Sequence, residues 1–154
     1  MKRCAMTVLT MGLFVLVAQV AQFGARALAD DKADKEKIQG EWSLVSLEEN
    51  GENQKVAEDS DKFIKLKIEG EKFHVTIGGN DHDATFVVDS AKKPKTIDIT
   101  LKGGDQDGTT MKGFYELDGD NLKICIGSPQ APDRPTEFKS KDDVKVFTFK
   151  RAKK

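Results

Sequence analysis

His74 and His82 are the chain's two imidazoles, and together they could form a metal pair if the fold put them on one side of one element. A hairpin loop at Gly78-Gly79-Asn80-Asp81 would set Ile77 opposite His82 and His74 opposite Thr85. Directly opposed residues of an antiparallel pair share a face. His74 and His82 then lie on opposite faces and cannot share a metal. No Cys/His cluster elsewhere has the spacing of a zinc site. Asp105-Gln106-Asp107-Gly108 begins like a calcium loop but lacks the third acidic position and the distant glutamate. The expectation is no metal and no cofactor.

Nucleophilic chemistry finds as little support. Cys125 stands between Ile124 and Ile126, whose side chains face inward in the strand reading below, so the thiol faces out. A reactive thiolate needs a nearby base or positive charge, and neither histidine is placed to help. Cys125 reads as a small packed residue. There is no G-x-S-x-G elbow, no H-E-x-x-H and no phosphate-cradling glycine loop. The abundant carboxylates alternate with lysines and read as solvated surface. The chain is predicted not to be an enzyme.

The loop Asp133-Arg134-Pro135-Thr136-Glu137-Phe138 is the most specific polar motif. Pro132 and Pro135 stiffen it, and Phe138 is expected to plug one end of the fold. Arg134 pairs with Glu137 or a strand carboxylate, or else stands at a binding mouth.

The elements that must position these residues are short strands. From Glu41 onward, stretches of alternating apolar and polar residues are separated by turn residues. Strand one is about Glu41 to Glu48. Asn50-Gly51 then opens a long polar loop to Asp61. Strand two aligns Ile64, Leu66 and Ile68, and strand three Phe73, Val75 and Ile77. Strand four aligns Ala84, Phe86 and Val88, and strand five Ile97, Ile99 and Leu101. Strand six runs from Thr109 to Leu117 and brings in Tyr115. Strand seven aligns Leu122, Ile124 and Ile126, and strand eight Phe147 and Phe149. Short hairpins join the middle strands, so an up-and-down order follows. Pairing the last strand with the first removes both open edges. The predicted fold is all-β: an eight-stranded up-and-down antiparallel barrel. Its interior is just wide enough to be filled by side chains or to hold one small ligand.

The first residues do not belong to that pattern. Met1-Lys2-Arg3 is a positive start, Ala5 to Val20 is apolar, and Ala27-Leu28-Ala29 is an A-x-A site. This is the pattern of a signal peptide over 1–29. It predicts export to the periplasm or the extracellular space and no integral membrane segment in the mature chain. Residues 30–37 are charged and are expected to be a mobile leader ending in one helical turn, with the barrel domain over 38–154. Lys2, Arg3 and Arg26 leave with the signal, taking the net charge from −1 to −4. With both signs interspersed, this is not a nucleic-acid footprint.

Gly40-Glu41-Trp42 at the head of strand one resembles the G-x-W feature of the lipocalins, a family of small-ligand barrels. The resemblance implies that a basic residue late in the last strand covers the indole and closes the barrel base. Arg151 is the match, and its role with Gly40 and Trp42 is structural closure. Gln39-Gly40-Glu41-Trp42, Leu47-Glu48-Glu49-Asn50-Gly51, Lys92 to Ile99, Gly113 to Asp120 and Asp133 to Phe138 together resemble a family of small exported domains multiplied in planctomycete bacteria. That resemblance implies a lipocalin-like fold and brings no catalytic residues.

The functional expectation is therefore a non-enzymatic exported barrel binding a small apolar molecule. The candidate ligand residues are Phe73, Phe86, Tyr115, Phe147, Phe149 and Arg134, with Tyr115 as the polar handle. The alternative is a solid barrel acting as an envelope protein-interaction module.

Overall fold

The computed structural model describes residues 32–57, 64–131 and 133–153. The predicted signal peptide lies outside the described residues, as does Pro132. Residues 32–37 form a helix, α1. Nine strands follow: β1 (Gly40–Glu49), β2 (Glu52–Lys55), β3 (Ile64–Glu69), β4 (Lys72–Ile77), β5 (Asn80–Asp89), β6 (Thr96–Lys102), β7 (Thr110–Asp118), β8 (Asn121–Gly127) and β9 (Val144–Arg151). One 3₁₀ turn, Gly104–Gln106, sits between β6 and β7.

From β3 to β9 each strand pairs antiparallel with the next, β3 pairs with β1, and β9 pairs back onto β1. The closed barrel thus has eight strands, with β2 as a ninth outside the ring. Closure leaves no open edge among the eight.

β2 was not anticipated. Its Glu-Asn-Gln-Lys sequence is exposed throughout and carries no alternation. It exists because Asn50 (φ 51°) and Gly51 (φ 80°) both adopt positive φ, the conformation of a two-residue type I′ hairpin turn. The turn sets Glu49 against Glu52 and Ser46 against Lys55. A register shift between Leu44 and Ser46 marks a bulge at Val45. Before the bulge β1 pairs with β3, and beyond it with β2.

The β4–β5 hairpin turns on Gly78-Gly79 alone. Ile77 faces Asn80, Val75 faces His82, and His74 faces Asp83. The expected pairing of Ile77 with His82 and of His74 with Thr85 is therefore wrong by two residues. A slip of two preserves the face of every side chain, so His74 and His82 still point to opposite sides.

Every second residue fills the interior. Trp42, Leu66, Ile68, Phe73, Phe86, Val88, Ile97, Ile99, Tyr115, Leu122, Ile124 and Phe149 form one buried cluster. A second, smaller cluster lies on the outer wall: Phe114, Cys125 and Val146, with Phe138 and Val144 packed against it. Cys125 does point away from the barrel interior, yet it is fully buried, because the loop after β8 lies over it.

Candidate functional site

One end of the barrel is sealed by the chain that enters it. The helical turn expected at the end of the leader is present as α1, but this described part of the leader is packed in place rather than mobile, and residues 30 and 31 lie outside the described residues. Asp34 and Ile38 are both buried. Asp34 Oδ2 accepts hydrogen bonds from Tyr115 Oη (2.7 Å) and from Lys95 Nζ (2.6 Å). Gln39 holds the β3–β4 turn, accepting from Gly70 N at 2.6 Å and donating to Gly70 O at 3.1 Å. The sequence pattern concealed the seating of this plug, because a six-residue, mostly charged helix with one buried acid has no periodicity to detect.

Trp42 is the centre of that end. Its Nε1 donates to Ile38 O at 2.9 Å. The Arg151 guanidinium lies 4.2 Å from the indole centroid. Arg151 also donates to Gln39 O and Lys37 O, each at 2.8 Å, and pairs with Asp120 at 3.2 Å. Gly40 is needed here for two reasons. Its φ is +112°, and an added Cβ would stand 3.1 Å from Arg151 Nη1. Gly40, Trp42 and Arg151 thus meet at one end of the barrel.

The opposite end, here called the mouth, is less covered among the described residues. The inward-facing residues nearest the Gly78-Gly79 turn and the β1–β2 turn are apolar but only partly covered. Leu47, Ile64, Val75, Leu101, Met111 and Phe147 pack against the core while remaining half-buried, and Ile77 is 46% exposed. Polar groups stand at the rim. Glu49 and Lys145, directly opposed across β1 and β9, pair at 2.9 Å. His82 shares the inward face of β5 with Ala84 and Phe86 and is exposed.

The expected ligand residues separate into three places. Phe73, Phe86, Tyr115 and Phe149 are core. Phe73 packs edge-on against Phe86 at 6.0 Å between ring centroids. Tyr115 is no free handle, since Asp34 takes its hydroxyl. Phe147 alone reaches the mouth, stacked 6.2 Å from Phe149.

Arg134 is not at the barrel mouth. It lies on the outer wall, donating to the carbonyls of Gly113 and Ile97 and to Asp98 Oδ1 (2.5 Å). Its guanidinium is 5.9 Å from the Phe114 ring. Nor does Phe138 plug an end: it stacks on Phe114 outside the barrel, 6.4 Å between centroids. Both residues serve the smaller outer cluster, which the sequence reading did not foresee. Phe114 on β7 and Val146 on β9 occupy outward positions on either side of Cys125 on β8, and these outward apolar residues were the available signal.

Two surface grooves, of about 510 and 830 Å³, run along the outside of β1 and β3 beside residues 151–153. The polar groups that wall them pair laterally with one another. Lys67 is held by Glu69 at 2.9 Å. His74 is held by Asp83 at 2.5 Å, with Asp81 3.6 Å away. They do not converge on the space between them, so the mouth is the better candidate site.

Among the described residues, no group of three or more His, Cys, Asp or Glu side chains is placed to hold a metal. None of the described helices is long and apolar enough to cross a membrane. No family model, curated protein or solved structure matches the chain.

Proposed function

We propose that this protein is an exported, lipocalin-like, non-enzymatic binding module that takes the apolar part of a small molecule at the barrel mouth. The reading rests on one gradient. Trp42, Ile68, Tyr115 and Leu122 towards the Trp42 end are buried beneath α1 and Arg151, with Leu117 partly exposed, whereas Leu47, Ile64, Val75, Leu101, Met111 and Phe147 towards the other end are partly exposed and Ile77 is exposed, with Ile126 buried. Half-exposed apolar groups ringed by a few polar ones are what a ligand site offers before it is filled. The deep interior is packed, so the ligand enters the mouth and goes no further than the layer of Phe73, Phe86 and Phe149.

Methyl-labelled protein titrated with alkyl carboxylates and sterols tests this by nuclear magnetic resonance. Saturable shifts are expected at Ile64, Ile77, Leu101 and Met111, with Ile38, Ile68 and Ile97 unmoved. Shifts confined to the buried set, or no saturable shift with any compound, would overturn the reading.

A further inference from the structure

The loop after β8 is attached to the barrel in a different way from the strands of the ring. Its base is closed by Ser128 N donating to Asp143 O at 2.8 Å. Among the described residues, no backbone-to-backbone hydrogen bond joins 133–140 to a strand. Side chains do all the fastening. Arg134 reaches Gly113 O, Ile97 O and Asp98. Ser140 Oγ donates to Glu48 at 2.8 Å and accepts from Gly51 N at 2.9 Å. Phe138 lies on Phe114, with Lys123 Nζ over its outer side at 4.9 Å.

Beneath this stretch lies Cys125. Its Sγ sits against the Glu137 and Lys139 carbonyls at 3.8 and 3.9 Å. The residue is fully buried even though it points away from the barrel interior.

We infer that residues 133–140 are a strap that opens as a unit while the barrel stays folded, that Arg134 is its latch, and that Cys125 meets solvent only through that opening. The physical basis is a difference in fastening. The barrel is held by a closed ladder in which each strand has two neighbours, so it opens only with the whole domain. The strap is held by a few side-chain bonds and one aromatic contact, the make-up of a low-stability local unit. Arg134 is singled out because its bonds are charge-assisted and join two strands, β6 and β7, at once. Burial also pushes the Cys125 thiol up to about 11, so the covered group stays a protonated thiol.

The test is the rate at which dithiobis(nitrobenzoate) modifies Cys125 in the full chain across a urea series. Local opening predicts a wild-type rate at low urea that depends on urea far more weakly than global unfolding does. Arg134→Gln removes the guanidinium and its three bonds and should speed modification by at least about thirtyfold, the population change expected from losing even one charge-assisted bond. Asp98→Asn, which leaves both carbonyl acceptors in place, should speed it less and keeps the comparison available should Arg134→Gln fail to fold. A wild-type rate that follows global unfolding at every urea concentration overturns the inference. So does a folded Arg134→Gln or Asp98→Asn variant whose thiol reacts at the wild-type rate.

Discussion

The two ends of the barrel are built from the same eight alternating strands, yet one is shut and the other open. At the shut end, Trp42 is 1% exposed and Tyr115 0%. At the open end, Ile77 is 46% exposed. Strand periodicity sends side chains inward equally at both ends. The difference comes from the segments that lie outside the periodic pattern. α1 brings Asp34 and Ile38 down onto one end, and Arg151 reaches across to hold the chain that carries them. At the other end, among the described residues, Asn50-Gly51 and Gly78-Gly79 are tight turns of glycine and polar residues with no apolar side chain to lay across the barrel. An alternating wall makes the cylinder, and what is laid across its ends decides where a ligand could enter.

The largest effect that could break this contrast is removal of the plug's anchor. Trp42→Ala deletes a fully buried indole together with its bond to Ile38 O and its contact with Arg151. A loss of about 3–5 kcal/mol is expected from cavity formation alone. The matched change at the mouth, Ile77→Ala, should cost only about 1 kcal/mol, because nearly half of that side chain is already in water. Urea denaturation of both variants measures the two numbers. Equal costs would mean that the mouth is as tightly packed as the base, and the functional reading would lose its foundation.

Next in size is the buried polar pair. Tyr115→Phe leaves Asp34 with Lys95 as its remaining partner. Loss of a hydrogen bond to an acidic acceptor should lower stability by about 1.5–3 kcal/mol. The same variant should bind mouth ligands with unchanged affinity, since Tyr115 is sealed away from that end. Reduced affinity without a loss of stability would place the ligand at the Tyr115 end and reverse the assignment.

Much of this was legible in the chain because alternation is a property of sequence. The inward residues from Ile64 to Phe149 can be read off two at a time, and the up-and-down order follows from turn spacing. Even the misplaced β4–β5 register did no harm to the facing of His74 and His82, since an error of two residues preserves parity. The failures share one cause. β2, the seating of α1 and the strap each depend on individual residues with no period: Asn50 at positive φ, Asp34 under Tyr115 and Lys95, Arg134 on two carbonyls and Asp98. A lone charged residue in a polar stretch looks the same in sequence whether it is buried or solvated. Arg134 therefore stayed open between a strand carboxylate, which Asp98 is, and the mouth, where it is not, and the leader before its helical turn read as mobile. The candidate site suffered most, because a mouth is defined by what does not cover it.

The smallest expected effect is also the cleanest control, because it arises on the wall and faces neither end. His74 points outward from β4, with Asp83 and Asp81 on β5 facing it and Lys67 on β3 opposing them. The hydrogen bond to Asp83 raises its pKa above the ordinary 6.5, and the attraction of Asp83 and Asp81 adds to this against desolvation and Lys67. A group that holds its proton more tightly when folded stabilises the folded state while both states are protonated. That contribution is complete below pH 6.5 and disappears as the pH rises through the higher folded value. The side chain is 39% exposed, so solvent screening limits the contribution to about 0.5 kcal/mol or less. His74→Gln should remove this part of the pH dependence and leave mouth affinity alone at every pH. The measurement is the difference in urea midpoint between wild type and His74→Gln at pH 5.5 and at pH 8.5. A difference that does not shrink at the higher pH would show that the imidazole contributes through packing. A change in mouth affinity would mean that the β4–β5 hairpin transmits events on the outer wall to its inward residues, Val75, Ile77 and His82, and that wall and mouth are not independent.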